Sequence, residues 1–514
     1  MSIAQVLRDA AAVNPGAVAI DGDGRRVTFA DLTEASNRIA SALVAGGVQR
    51  GDRVGFVDRN GTEYWETFIG AMKAGAVLVP LNFRLSADEL AWSFEDAGVS
   101  LVVAGAAYAR AVRPAGWPLV VIGAAAGELP AGALDYDAWV AGGADLDPRR
   151  DAEGPELIEL IYSSGTTGRP KGVLVSDEQL TWSTQAFGSC FDADAGSRSL
   201  VPIPYYHVAG GGWALITLTR GGMIIQSREP TAESMLRQLL DFRATHTAMV
   251  PAVMQVLSQS PESREADFSA LRQVVYGGSP ISEPLVRSSV ATFGAQLFQS
   301  YGLSETMGVT TLLGPDQHRI DSDLSRLRSA GRAIPGVEIE IRDLVTGELA
   351  GIDEVGEIHV RAPSVTPGYW QRPDATADAF TADHFFKTGD VGSLDSEGYL
   401  FIRDRIKDMI VTGGENVYPA EVESVLAAHP GVADVAVVGV PSAAWGETPM
   451  AFVVAGAVTP EAADIIAFAR TKLAHFKCPT AVTFIDELPR NPSGKVLKRE
   501  LREPYWAGES RYVG

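Results

Sequence analysis

LIYSSGTTGRPKG, residues 160–172, is the stretch from which the chain is best read. A largely apolar run over 157–162 stops at Ser163 and Ser164. Gly165, Thr166, Thr167, Gly168, Arg169, Pro170, Lys171 and Gly172 follow, and a second apolar run covers 173–175. The pattern predicts strand, loop, then strand or helix start. Glycines let backbone N–H groups come close to an anion. Hydroxyls on Ser163, Ser164, Thr166 and Thr167 can donate to phosphate oxygens. Lys171 and Arg169 bring positive charge, and Pro170 stiffens the return. The stretch therefore reads as a phosphate cradle, although an exposed Gly/Thr turn has the same composition. It is not a P-loop, which needs G-x-x-x-x-G-K-[ST], and no helix obviously begins at the loop.

Outward from this loop, strands alternate with helices. Thr28 and Asp31 form a capping signature for a helix over 28–46, in which Leu32, Ala35, Ile39 and Leu43 share one face. Strand 54–57, helix 64–74, strand 77–80, helix 87–95 and strand 101–103 follow, and the alternation returns around 236–250 and 285–298. It implies parallel α/β layers. Over 331–402, short alternating segments such as 337–341 and 356–360 lie between Gly and Pro and suggest antiparallel β structure. Beyond a charged stretch at 405–408 the pattern is α+β: helix 420–428, strand 432–440, helix 462–474, strand 482–485. The domain boundary is expected near 403–408, with a C-terminal unit of plausible domain size.

Composition narrows the class. At 514 residues the chain exceeds one hydrophobic core. Its net charge of −21 argues against general nucleic-acid binding, so any anionic ligand must be met by locally placed Lys and Arg. No apolar run reaches bilayer-spanning length. The N-terminus, MSIAQVLRDAAAVNPG, reads as an amphipathic helix rather than a secretory signal. Two distant cysteines, Cys190 and Cys478, exclude a disulfide framework and make the cytoplasm the natural compartment. The fingerprints of dinucleotide-binding folds, serine hydrolases and zinc proteases are missing.

Further segments carry candidate chemistry. In PIPYYHV (202–208), His207 follows two aromatics at a Pro-rich turn, and AGGGW (209–213) adds Gly211 and Trp213. VVYGGSP (274–280) runs a strand into the Gly277–Gly278 turn, where a planar base can approach the backbone; an ordinary strand-to-helix loop looks the same. FQSYGLSET (298–306) offers Gln299 for a base edge, Tyr301 as a stacking ring, Gly302, Glu305 as a hard oxygen ligand for Mg²⁺, and Thr306 as a hydroxyl. In KTGDV (387–391), Asp390 suits two ribose hydroxyls and equally an Asx-type turn.

Taken together, these segments resemble the adenylate-forming enzymes: acyl-CoA synthetases, luciferases and peptide-synthetase adenylation domains. Five matched segments occur in the family order from residue 160 to 495. The resemblance implies that the 163–171 loop holds the pyrophosphate end of ATP. It puts His207 beside the acyl carboxylate; the glycines that follow, Gly211 among them, leave volume that Trp213 can wall or gate, and the acyl pocket is expected to include His207, Gly211, Trp213 and Gly277. It puts Gly278, Gln299, Tyr301, Gly302, Thr306, Asp390 and Arg405 on the nucleotide and makes Glu305 the Mg²⁺ ligand. Ser304 stands where the family has Thr in Y-G-x-T-E, keeping the hydroxyl. IRDRIKDMIVTGGENVYP (402–419) resembles G-R-x-K-D followed by a Gly-Gly-x-Asn loop. This makes Lys407 the hinge and sets Gly413 and Gly414 beside the pantetheine of CoA; Asp404 replaces the usual Gly. In LPRNPSGKVL (488–497), Lys495 matches the lysine that contacts the substrate carboxylate and α-phosphate. Val208 stands where amino-acid-selecting relatives carry Asp, which argues against an amino-acid substrate.

The resemblance implies an α/β fold: a large N-terminal domain of two α/β subdomains plus a small β-barrel (1–403), a hinge (404–408) and a mobile small α+β C-terminal domain (409–514). It implies an ATP-dependent acyl-CoA synthetase acting on a fatty, aryl or other hydrophobic carboxylic acid, with Lys171, His207, Glu305 and Lys495 central to the chemistry. No nucleic-acid partner and no integral membrane segment are expected, and a homodimer is compatible. Alternatives are a separate carrier-protein pantetheine as acceptor, an enzyme that stops at the adenylate or uses an amine, and a nucleotide-binding regulator with a dead site.

Overall fold

The protein is described from a computed structural model, over residues 2–112, 116–125, 127–163, 170–278, 281–319, 324–456, 458–490 and 496–506. It divides into two compact units, Met1–Glu338 with Arg361–His384, and Ile339–Val360 with Phe385–Gly514. The expected hinge at 404–408 thus lies inside the second unit. The strand Leu400–Arg405 pairs with Phe386–Leu394, tying this segment to the sheet before it.

The first unit holds two sheets, matching the two expected α/β subdomains. The seven-stranded sheet runs in the order Leu134–Asp135, Leu119–Ile122, Val99–Gly105, Arg53–Val57, Val77–Pro80, Leu157–Ser163, Lys171–Ser176. All neighbours are parallel except the last two strands, which form an antiparallel hairpin. Parallel strands joined by helices are covered on both faces and read as continuous apolar runs; Val77–Pro80 and Leu119–Ile122 are buried throughout. Helix Thr62–Ala74 is buried at every residue but Glu63. Side chains alternate across the Leu157–Ser163 strand. Leu160 joins the core cluster containing Val79 and Phe94, while Glu159 and Ile161 face the other layer.

The nine-stranded sheet has the order Arg332–Ala333, Thr311–Leu313, Gln296–Tyr301, Gln273–Gly277, His246–Met249, Arg198–Leu200, Met223–Ile225, Val18–Gly22, Arg25–Thr28. Its centre is parallel and its two ends antiparallel. The capped helix expected over 28–46 is Phe29–Ala45. Asp31 N donates to Thr28 Oγ1 at 3.1 Å, and Thr28 N donates to Asp31 Oδ2 at 2.9 Å. This reciprocal cap satisfies two otherwise orphaned N–H donors. The N-terminal helix is Ile3–Val13, and Ile3 N donates to Asp177 at 2.8 Å.

In the second unit, the β texture expected over 331–402 is a four-stranded sheet: Glu338–Arg342, Gly356–Arg361, Phe386–Leu394, Leu400–Arg405. The last three of these strands are antiparallel neighbours. Beyond it, strands Ile410–Thr412, Glu415–Val417, Val432–Ser442, Gly446–Ala455 and Ala481–Phe484 form a second sheet. Helices Pro419–Leu426 and Ala462–Arg470 pack on it through Val422, Leu426, Ile465 and Ala469. This is the expected α+β pattern. Among the described residues no helix is long and apolar enough to cross a membrane, and both cysteines are free.

Candidate active site

On either side of the undescribed residues 164–169, the quoted stretch belongs to the strands Leu157–Ser163 and Lys171–Ser176. Ser163 lies opposite Lys171 in the hairpin register, and its Oγ donates to the Lys171 carbonyl at 3.4 Å. Ser164, Gly165, Thr166, Thr167, Gly168 and Arg169 lie outside the described residues, as does Lys495.

What stands beside the hairpin was not expected. Residues 366–370 run along the second strand: Leu174 N donates to Gly368 O at 3.1 Å, and Trp370 N to Gly172 O at 2.8 Å. This delivers Tyr369 to the site. Its Oη donates to Glu305 Oε1 at 3.1 Å, and its ring lies 4.8 Å beneath Lys171 Nζ. Thr366 N also donates to Glu305 O at 2.7 Å. Burial, then Glu305, pushes the Tyr369 phenol well above its ordinary value, so it stays a donor. Lys171 and Glu305, the cation and the metal ligand expected from sequence, are thus joined through one tyrosine. The only local signal for it was an aromatic pair after a Pro-Gly turn, in PGYW.

Glu305 sits in the single helical turn Ser304–Thr306. Leu303 N donates to Thr306 Oγ1 at 3.0 Å, Thr310 donates to the same oxygen at 3.2 Å, and Thr306 is fully buried. Here the expectation of a phosphate-facing hydroxyl is corrected: Thr306 closes the turn that presents Glu305. Tyr301 and Gln299 lie on the Gln296–Tyr301 strand, and Tyr276 Oη donates to Gln299 Oε1 at 3.4 Å. Gly277 and Gly302 allow backbone contact, since a Cβ would meet Ser300 O at 2.5 Å and Gly308 C at 2.4 Å respectively. At Gly278 the requirement is a φ of +80°.

His207 is the N-cap residue of helix Val208–Leu218. Burial lowers its pKa, so the ring is neutral, and its Nδ1 has no partner among the described residues. Trp213 needs a second correction. It lies about 200° round the helix from Gly211, 3% exposed, with its ring 5.2 Å from Phe191 in the core. Val208, Gly211, Gly212 and Leu215 form the face that lines a cavity; Trp213 does not.

That cavity holds a residue overlooked in the sequence. Glu159 is 6% exposed among Tyr64, Trp65, Phe68 and Tyr205, and accepts from Tyr64 Oη at 3.2 Å. Burial pushes its carboxyl up to about 8, against the Tyr64 hydrogen bond. The signal was present: one charge at the centre of an apolar strand, LIELIYS.

In the second unit Asp390 and Arg405 are cross-strand partners, with Arg405 Nε 3.2 Å from Asp390 Oδ1. Asp404 is half-buried and accepts from Arg405 N at 2.7 Å and Ala420 N at 2.8 Å. Burial raises its pKa and Lys498 opposes the rise. Lys407 lies in the turn Ile406–Asp408, its carbonyl accepting from Arg502 at 3.3 Å. Gly413 and Gly414, with φ of 59° and 87°, make the hairpin turn between Ile410–Thr412 and Glu415–Val417.

No group of three His, Cys, Asp or Glu side chains fit to hold a metal occurs among the described residues. Glu305 as sole protein ligand suits Mg²⁺, which is commonly held by one or two carboxylates plus substrate phosphates and water.

Comparison with known proteins identifies the family. Residues 7–370 match the AMP-binding enzyme family and residues 421–495 the AMP-binding enzyme C-terminal domain. The chain is 38% identical to a fatty acid–[acyl-carrier-protein] ligase of Streptomyces coeruleorubidus, over 97% of this chain and 95% of that one. It is 37% identical to a long-chain-fatty-acid–CoA ligase of Mycobacterium tuberculosis, over 98% and 99%. ATP-bound MatB from Rhodopseudomonas palustris superposes with a TM-score of 0.89 at 32% identity, over 98% and 99%. The chain belongs to the AMP-binding enzyme family, with the fold of the adenylate-forming acyl-CoA synthetases.

Proposed function

We propose that the chain activates a hydrophobic carboxylic acid with ATP, releasing pyrophosphate, and then passes the acyl group to the thiol of CoA. The acid's oxygen attacks the α-phosphorus, the bond to the pyrophosphate oxygen breaks, and an acyl-adenylate forms. The thiol then attacks the acyl carbonyl and AMP leaves. The observation that carries this is the linkage of Lys171, Tyr369 and Glu305 beside the hairpin. A carboxylate and a triphosphate repel each other, so the first step needs positive charge placed in advance. Lys171 supplies one such charge. Mg²⁺ on Glu305 neutralises phosphate charge when bound. Tyr369 fixes the Glu305 carboxylate, and neutral His207 borders the acid without adding charge.

Asp390 and Arg405 are assigned to ribose and phosphate, Tyr301, Gln299 and Gly278 to the base, and Gly413 and Gly414 to the pantetheine. Lys407 is assigned as the hinge, and the domains are taken as 1–403 and 409–514. Lys495 is assigned to adenylation alone. Accordingly, Lys495→Ala lowers pyrophosphate release by about 100-fold or more and spares thiolation of a supplied acyl-adenylate; equal loss of both half-reactions refutes the division of labour. The protein is placed in the cytoplasm.

The test of the whole is pyrophosphate release over a panel of carboxylic acids, with and without CoA. Acid-dependent release, with acyl-CoA formed only when CoA is present, is expected; no release with any acid overturns the proposal. The likeness to a carrier-protein ligase supports a second acceptor. Replacing CoA by a holo-carrier protein in the same assay separates the two.

A further inference from the structure

Two unfavourable sequence choices meet at one cavity of the first unit. The first is Glu159. A carboxyl among aromatic rings is destabilising unless paired or protonated, and its one side-chain hydrogen-bond partner among the described residues is the Tyr64 phenol. An apolar side chain of similar volume would serve the fold at least as well. The second is the pair Gly211 and Gly212 in the interior of helix Val208–Leu218, where each glycine costs about 1 kcal/mol against alanine. A Cβ at Gly212 would meet nothing within 4 Å, so no close packing demands glycine there. At Gly211 the nearest atoms would be Tyr205 O at 3.1 Å and Tyr64 Oη at 3.8 Å. Gly211 is held close to the Tyr205 carbonyl, whereas Gly212 opens onto free space, and both line the cavity that Glu159 lines.

The cavity also lies next to the reacting end. Met307, two residues after Glu305, lines it. Glu159, Ile161 and Ser163 alternate along one strand face toward the hairpin, a span of about 13 Å. His207 begins the helix whose next turn carries Gly211. An acid whose carboxylate lies at the hairpin end would therefore bring its far end to Glu159. With burial raising Glu159 to about 8, it carries a proton at neutral pH. A neutral carboxyl donates one hydrogen bond and accepts others, and an alcohol does the same.

We propose that Glu159, held by Tyr64 and faced by Gly211 and Gly212, is a specificity-determining residue that binds a hydroxyl at the distal end of the acyl substrate. The preferred acids are then ω-hydroxyalkanoic acids rather than plain fatty acids. This rests on the synthetase reading above and narrows its substrate.

The experiment is pyrophosphate release with matched pairs of acids of graded length, each pair an ω-hydroxyalkanoic acid and its methyl-terminated counterpart of equal heavy-atom count. The native protein should favour the hydroxy acid at its best length by about tenfold or more in kcat/KM. Glu159→Leu should abolish or reverse that ratio. Gly212→Leu, which projects into open space, should shift both members of every pair toward shorter optimum length. This second variant keeps the test decisive if Glu159→Leu does not fold. Equal turnover of both members by the native protein, or an unchanged ratio in Glu159→Leu, overturns the assignment of Glu159 and leaves adenylation standing. An unchanged length profile in Gly212→Leu overturns the placement of the acyl chain. Absence of release with every acid overturns the synthetase reading and this inference with it.

Discussion

Glu159 in the first unit is a buried carboxyl and Glu423 in the second a half-buried one, and their surroundings differ sharply. Glu423 lies on helix Pro419–Leu426; it accepts from Val437 N at 2.7 Å, and Lys498 Nζ lies 2.9 Å away. Burial works against the charge of Lys498, but Glu423, Asp404 and Asp408 outweigh it and keep the ammonium protonated. Glu159 has a phenol and a cavity. A carboxylate paired with a cation belongs to the fold, whereas a buried carboxyl with a single neutral partner beside a cavity points to a ligand. Only the surroundings distinguish the two, since both are one glutamate within a short regular element.

The contrast breaks most visibly at Lys498. Lys498→Met strands Glu423 and Asp404 without their cation, and unfolding in denaturant should show a loss of about 3–5 kcal/mol. Adding Glu423→Gln to that variant should recover part of it. Full stability in the single variant would mean the network is ornamental.

Next in size is Glu159→Gln. The folded pKa of Glu159 is about 8 against 4.5 for an unperturbed glutamate. Between those values the folded state holds a proton that the unfolded state has released. Stability therefore falls as pH rises from about 4.5 to about 8 and levels off above. Glutamine has no proton to lose, so Glu159→Gln should gain roughly 2–4 kcal/mol over the native protein at pH 9 and nothing near pH 4. Denaturant unfolding across this range checks it, and a constant difference between the two proteins would show that Glu159 is already ionised in the fold.

The smallest effect is expected at Tyr369. Tyr369→Phe keeps the ring under Lys171 and removes the hydrogen bond to Glu305. A loss of about 1 kcal/mol, or roughly fivefold in kcat/KM for pyrophosphate release, should follow, with the midpoint for Mg²⁺ moved upward. An unchanged Mg²⁺ dependence would separate Tyr369 from the metal ligand.

Much of this architecture is legible in the sequence. The helix Phe29–Ala45 announced itself by the Thr28–Asp31 cap, and the strand Val77–Pro80 by an unbroken apolar run. The apolar runs either side of Ser163 and Lys171 read as a strand followed by a strand or helix start, and the structure pairs them as antiparallel strands. Trp213 was misplaced because an aromatic after three glycines reads as a gate in one dimension. Helical rotation turns it into the core, against Phe191. Thr306 was misplaced because a hydroxyl beside a metal ligand suggests phosphate, while a tight turn must first satisfy its own N–H groups. Glu159 passed unremarked because one charge in a strand has no period to betray it.

What the residues alone determined is local: which stretches coil, which extend, where the turns fall, and that the chain carries the ordered segments of its family. Periodicity and capping act within a few residues, so a linear string records them directly. Tertiary structure alone decided the meetings: Tyr369 with Glu305, 64 residues away, and Tyr64 with Glu159, 95 residues away. Those pairings depend on how helices and sheets stack. Layer packing is set by the burial of whole faces at once, and no short window of sequence contains it.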